Sequence, residues 1–190
     1  MPRPIQYDRQ AVLDAATDLF WRRGYAGVTL DEVLTATGFN RHSLYREFGG
    51  KDGLFEEALR NYQALYDREI GAPLHTDAGL AAVRALFARR LPADVGGRGC
   101  FATNTLVDRE TVCAGACEIA GRFVDTLHAG LAHSIRAAQA QGEVRPDRDA
   151  DALAEHVLTT LQGLGVMSRL GLDEARARAV ADETIVYLTA

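Results

Sequence analysis

Two guanidinium groups, an imidazole, two hydroxyls and an ammonium follow one another in Arg41, His42, Ser43, Tyr45, Arg46 and Lys51. All are hydrogen-bond donors, and together they suit a polyanion that also presents acceptor edges. Nucleic acid is such a partner. Arginine can donate two parallel bonds to guanine O6 and N7, while hydroxyls and cations suit phosphate oxygens. Arg41 is the first candidate for base readout, with His42 and Ser43 beside it. Tyr45 and Arg46 are expected nearer a groove wall. Thr29 and Lys51 fall where helices should begin, and free backbone N–H groups there favour an anion. Asn40 completes the set at the start of the segment.

The elements that must position these groups are short helices. Val12, Leu13, Ala16, Leu19 and Phe20 recur at three- and four-residue spacing and predict a helix from about Asp8 to Arg23, ended by Gly24. Thr29 with Glu32 three positions on is a capping box opening a second helix, with Val33 and Leu34 inward. Gly38 supplies a turn and Phe39 plugs the core. Asn40 then caps a third helix running to about Phe48. Leu44 and Phe48 share its inner face, which leaves Arg41, His42, Ser43, Tyr45 and Arg46 outward. Gly49-Gly50 breaks the chain again. A fourth helix is expected from Lys51 to about Arg68, closed by Gly71-Ala-Pro73. Two short helices around a glycine turn form a helix-turn-helix, whose second member enters the DNA major groove.

The remainder also reads as helix. Expected spans are Ala78 to Leu91, Cys100 to Val107, Arg109 to Gln141, Asp149 to Leu170 and Asp173 to Leu188, with loops at Pro92 to Gly99, Gly142 to Pro146 and Gly171. The fold class is all-α. The expected division is a helix-turn-helix domain over 1–50, a bridging helix over 51–68, and a larger helical body over 69–190.

The chain has 190 residues, is 47% hydrophobic and 25% charged, and carries a net charge of −5. That charge excludes a general phosphate-coating protein. The positive charge is local instead: between Thr37 and Lys51, three cations meet only Glu47. No apolar run approaches the roughly 20 residues that span a bilayer. With no signal-peptide pattern, a cytoplasmic protein without membrane contact is expected. Cys100, Cys113 and Cys117 are an odd count, which argues against a disulfide framework, and their spacing fits no standard zinc pattern. No catalytic, metal-binding or cofactor-binding set is expected.

From Leu13 to Tyr62, and above all over Ser43-Leu-Tyr-Arg-Glu-Phe-Gly-Gly-Lys-Asp-Gly-Leu-Phe55, the chain resembles the DNA-binding domain of the TetR family of transcriptional regulators. Ala15 to Leu30 resembles that family's first helix and the entry to its second. Tyr45 and Phe48 match the aromatic pair of the family pattern, and Lys51 matches its phosphate-binding lysine. The resemblance implies a homodimer on a palindromic double-stranded DNA operator, most often a repressor released by a small-molecule effector.

It also implies a dimer interface made by the last two helices. Their apolar repeat names Leu153, Val157, Leu161, Leu164, Ala179 and Val186, and Gly163 and Gly165 would permit a close approach of helices. Gly99-Cys-Phe-Ala-Thr-Asn104 resembles a stretch from one branch of the family that precedes a pocket-forming helix. Phe87, Phe101, Asn104, Cys117, Phe123, His128, Leu161 and Gln162 are the candidates for lining an effector pocket, mixing apolar walls with polar anchors.

Two other readings compete. One is a regulator whose cysteines sense oxidation. The other is a helical ligand-binding protein or enzyme without DNA contact, for which His75, His128, His133 and His156 supply titratable groups but no recognised catalytic spacing.

Overall fold

A computed structural model describes residues 7–91 and 97–190, and these form helices and turns with no strand among them. Most of the loop expected from Pro92 to Gly99 lies outside the described residues. Four helices come first: α1 (Arg9–Arg23), α2 (Leu30–Thr37), α3 (Arg41–Phe48) and α4 (Lys51–Tyr66). After a turn region follow α5 (Leu80–Arg90), α6 (Phe101–Val107), α7 (Ala114–Ala140), α8 (Ala150–Arg169) and α9 (Glu174–Thr189).

The starts are written in capping side chains. Asp8, Asn40, Asp149 and Asp173 each accept a hydrogen bond from a backbone N–H of the first turn they precede. Thr29 and Glu32 close the expected capping box reciprocally. Its chemistry makes a pH prediction. The Glu32 carboxylate accepts from the Thr29 N–H and hydroxyl, both at 2.8 Å, and from Arg23. The Thr29 backbone bond first, then Arg23 and the Thr29 hydroxyl, lower its pKa from an ordinary 4.5 to about 2. A depressed carboxyl stabilises the fold fully above about pH 4.5, and that contribution fades as pH falls toward about 2. Glu32→Gln is therefore expected to leave a constant stability deficit from neutral pH to about 5, closing below that. Urea unfolding at a series of pH values reads this directly, and a gap that stays constant to pH 2 would remove the carboxylate from the account.

Phe20, Val28, Val33, Leu44, Leu54 and Phe55 are nearly inaccessible to solvent and tie the first four helices together. Helix α4 packs on α1 and α3 on one side and on α6 and α7 on the other. Phe55 is the crossing point. Its ring meets Phe20 at 5.0 Å, Tyr25 at 5.1 Å and Phe101 at 5.5 Å.

Two expected boundaries differ. The helix expected from Arg109 begins only at Ala114, because the Asp108 carbonyl accepts from both the N–H and the hydroxyl of Thr111, closing a local turn instead. Regular α4 ends at Tyr66 rather than near Arg68. The chain widens into a π turn over Asp67–Gly71 and tightens into a 3₁₀ turn over Ala72–His75, where Pro73 has no N–H with which to continue a helix. No described helix is long and apolar enough to cross a membrane.

Candidate nucleic-acid interface

Helix α3 is pinned from beneath by Leu44 and Phe48, both buried, so its other face turns outward as one unit. Arg41, His42, Tyr45 and Arg46 are exposed on it, and Ser43 is half-buried. Asn40 is spent on capping: its side chain accepts from the Ser43 N–H at 2.8 Å. Arg41 reaches back to Asp31 of α2 at 3.2 Å, and Arg46 pairs with Glu47 at 2.8 Å. Both pairs lie in solvent, where such bridges are worth about 0–1 kcal/mol. Either guanidinium can therefore leave its partner at small cost.

The turn after α3 is set by backbone conformation. Gly49 and Gly50 adopt φ of 75° and 120°, and a side chain on Gly50 would meet the Tyr45 ring at 3.1 Å. Tyr45 thus leans on the turn while remaining 53% exposed. Gly53 was not singled out in the sequence, and its role is steric. A Cβ there would lie 1.7 Å from the Phe48 carbonyl oxygen, so only glycine lets α4 pass so close to the end of α3.

Helix α4 opens with no side-chain cap on its N–H groups. Beside that end, the Lys51 ammonium sits 3.9 Å from the centre of the Tyr25 ring, and the Tyr25 hydroxyl donates to Asp52. Burial pulls the Lys51 pKa down from its usual value, while Asp52 and Glu32 act the other way. The ammonium is held on a ring at the helix N-terminus, with free N–H groups next to it. Thr29 contributes differently from expectation. Its N–H and hydroxyl are both engaged with Glu32, so in this state they serve the cap.

The residues expected to line an effector pocket scatter. Phe87, Phe101, Phe123 and Leu161 are buried core. Phe101 and Phe123 belong to one aromatic cluster with Tyr62 and Tyr66. The Asn104 amide donates to the Arg98 carbonyl at 2.8 Å and helps line a cleft of about 50 Å³ with Phe101, Trp21 and Tyr25. Gln162 accepts from the Thr103 hydroxyl at 2.8 Å. Cys117 lies 4.0 Å from the Arg109 carbonyl, and His128 sits 3.3 Å from the Asp151 carbonyl and 3.6 Å from Glu155.

The dimer candidates divide in two. Leu153, Val157, Leu161 and Leu164 are buried within the chain's own core and are not presented to a second copy. Their apolar stripe is satisfied by α7, against which α8 packs. Ala179 and Val186 are exposed. Gly163 has open space around it, whereas Gly165 abuts Gly99 and Cys100 of the same chain, at 3.6 Å from where its Cβ would sit. Close approach is real at Gly165 but serves the interior. Cys100 is buried, Cys113 and Cys117 are partly so, and all three are free thiols.

A helix-turn-helix with an exposed cationic recognition helix, carried on a larger helical body, defines a DNA-binding regulator. The sequence pattern of "Bacterial regulatory proteins, tetR family" matches residues 12–58, and that of "Tetracyclin repressor-like, C-terminal domain" matches residues 79–183. The HTH-type transcriptional repressor ComR of Escherichia coli K12 is 30% identical over 195 residues, covering 96% of this chain and 90% of that one. Among solved structures, the regulatory protein TetR from Rhodobacter sphaeroides superimposes with a TM-score of 0.83 at 24% identity, covering 94% and 97% of the two chains. A cysteine mutant of the TetR family transcriptional regulator CifR, complexed with 26bp double-strand operator DNA, gives a TM-score of 0.82 at 26% identity over 98% and 99%. The chain belongs to the TetR family of bacterial transcriptional regulators.

Proposed function

We propose that this protein is a homodimeric repressor that binds a palindromic operator and leaves it when a small molecule occupies the helical body. The observation that carries the DNA reading is the face of α3. It projects Arg41, His42 and Arg46 outward, and the uncapped N-terminus of α4 with Lys51 stands next to it. The first group has the reach for base edges, and the second has the charge and N–H groups for a phosphate.

Dimerisation is supported by the outer side of α8 and α9. Val166, Met167, Val180, Val186 and Tyr187 are all at least 42% exposed there. His156 of α8 packs its ring 4.7 Å from that of Tyr187 on α9, joining the two helices into one surface. Val180 and Tyr187 line one groove with His156 and Thr160, and apolar exposure of this kind on two packed helices suits a second copy of the same pair. Release by an effector requires that it bind one body conformation better than the other, since equal affinity shifts nothing.

Selection of duplexes from a randomised library, followed by titration of the recovered site, tests the reading. Arg41→Ala is expected to cost about 1–3 kcal/mol at one base position and relax preference there. Lys51→Ala should weaken all sites alike and reduce the salt dependence by about one unit of slope. Unchanged affinity for both variants at moderate salt would refute this interface.

A further inference from the structure

Arg90 ends α5, and its guanidinium hydrogen-bonds the Tyr62 side chain, with Tyr66 and Cys100 near enough to act on its charge. The residue as a whole keeps some exposure, yet burial is the largest influence on its charged end and works against the charge. Its three neighbours act the other way and hold its pKa above the usual arginine value. No described residue forms an ion pair with it. Buried guanidinium groups in proteins are ordinarily paired, because the desolvated charge is otherwise costly.

An independent observation lies beside it. The Tyr66 hydroxyl is buried with no hydrogen-bond partner, and Tyr66 is only 5% exposed. The Tyr62 hydroxyl donates to the Cys100 sulfur, a weak acceptor, at 3.7 Å, and its oxygen accepts from the Arg90 guanidinium. Donors thus outnumber acceptors here: the Tyr62 oxygen and the Cys100 sulfur each take one bond, and the Tyr66 hydroxyl is left without a partner. The surroundings are aromatic: Phe123 meets Tyr66 at 5.0 Å and Tyr62 at 5.6 Å, and Phe101 meets Tyr62 at 5.7 Å. A donor cluster with aromatic walls complements a planar anion carrying an apolar body.

We propose that the effector is a small organic carboxylate, whose anionic end is held by the Arg90 guanidinium and the Tyr66 hydroxyl and whose apolar part rests against Phe123. This rests on reading the helical body as the effector-binding half. It deepens that reading by naming the ligand class and the route of coupling. Tyr62 and Tyr66 stand one turn apart on α4, the helix that begins at Lys51, and the α-helical geometry gives way to a π turn directly after Tyr66. Such widened turns often mark functional sites. Next to Cys100, the Gly99 carbonyl accepts from the Trp21 indole N–H of α1 at 3.1 Å, and Arg98 stacks 4.2 Å from the Trp21 ring. A ligand wedged between Arg90 and Tyr66 therefore presses on α4 and on the segment that docks α1.

The test uses the full chain and a panel of straight-chain and aromatic monocarboxylates, each with its amide and its alcohol as controls. Thermal shift and calorimetry read binding, and operator titration reads release. Carboxylates but not amides or alcohols are expected to raise the melting temperature of the wild type. Tyr66→Phe, which only removes an unpartnered hydroxyl, should fold normally and weaken binding roughly tenfold or more. Arg90→Met should abolish binding and, by removing a desolvated charge that has no ion-pair partner among the described residues, raise the melting temperature of the ligand-free protein by about 2–4 °C. A panel that binds nowhere, amides that bind as well as acids, or Arg90→Met retaining carboxylate affinity would each overturn the assignment while leaving operator binding intact. Carboxylates that bind through Arg90 without releasing DNA would instead overturn the effector-release reading and leave the site standing.

Discussion

Replacing Phe55 by alanine is expected to cost the folded chain about 3–5 kcal/mol, a large part of the stability of a domain this size. The side chain is 1% exposed and its ring contacts aromatic rings from three parts of the chain: Phe20 on α1, Tyr25 in the following turn and Phe101 on α6. No neighbour is free to collapse into the space, because each is itself held by another contact, Phe20 against Tyr25 among them. The loss extends to function. Tyr25 carries Lys51 on its face, so a displaced Tyr25 moves the ammonium from the α4 N-terminus. Urea unfolding followed through Trp21 fluorescence should show one cooperative transition, shifted strongly to lower denaturant. Tyr45→Ala, at a residue 53% exposed on α3, should change stability by no more than about 0.5 kcal/mol. A Phe55→Ala deficit below about 1 kcal/mol would show that the two halves do not share a core at this residue.

The part of the fold that was legible in advance is the part governed by local rules. Thr29 and Glu32, Asn40 and Gly38 announce starts and stops through hydrogen bonds within a few residues, and the structure keeps each of them. The outward set on α3 follows from Leu44 and Phe48 alone, because a four-residue repeat places them on one side. What was not legible depends on which surface an apolar stripe meets. Leu153, Val157, Leu161 and Leu164 form a faultless stripe, but periodicity says only that one face is buried. The surface it meets proved to be α7 of the same chain. Gly53 and Gly165 are likewise invisible to pattern reading, since their necessity comes from atoms of another segment passing overhead. Arg90 is the sharpest instance. A basic residue in the last turn of a helix is normal for the dipole, and nothing local distinguishes it from Arg89, which remains exposed and donates to the Glu69 carbonyl.

The second large effect is expected at the outer face of α8 and α9, where Val180→Asp combined with Tyr187→Asp should convert the protein to a monomer and lower operator affinity by a factor of about 10²–10⁴. Val180 and Tyr187 are each 43% exposed and line one groove with His156, Thr160 and Ala179. Acidic groups there stay hydrated in a single chain, so its own helices should still form. Between two copies the same groups would be buried like-charged and unpaired, at a cost of several kcal/mol. The affinity loss follows from linkage. One recognition helix finds its half-site at millimolar effective concentration once its twin is bound, and a monomer forfeits that gain. Sedimentation equilibrium with operator titration reads both quantities, and a double variant that remains dimeric would eliminate this face as the interface. Leu161→Asp supplies the contrast. Leu161 was expected at the same interface but is only 4% exposed within the chain, so a charge there should unfold the body instead of separating two folded ones. Circular dichroism distinguishes the two outcomes, because a dissociated monomer keeps its helix signal and an unfolded body loses it.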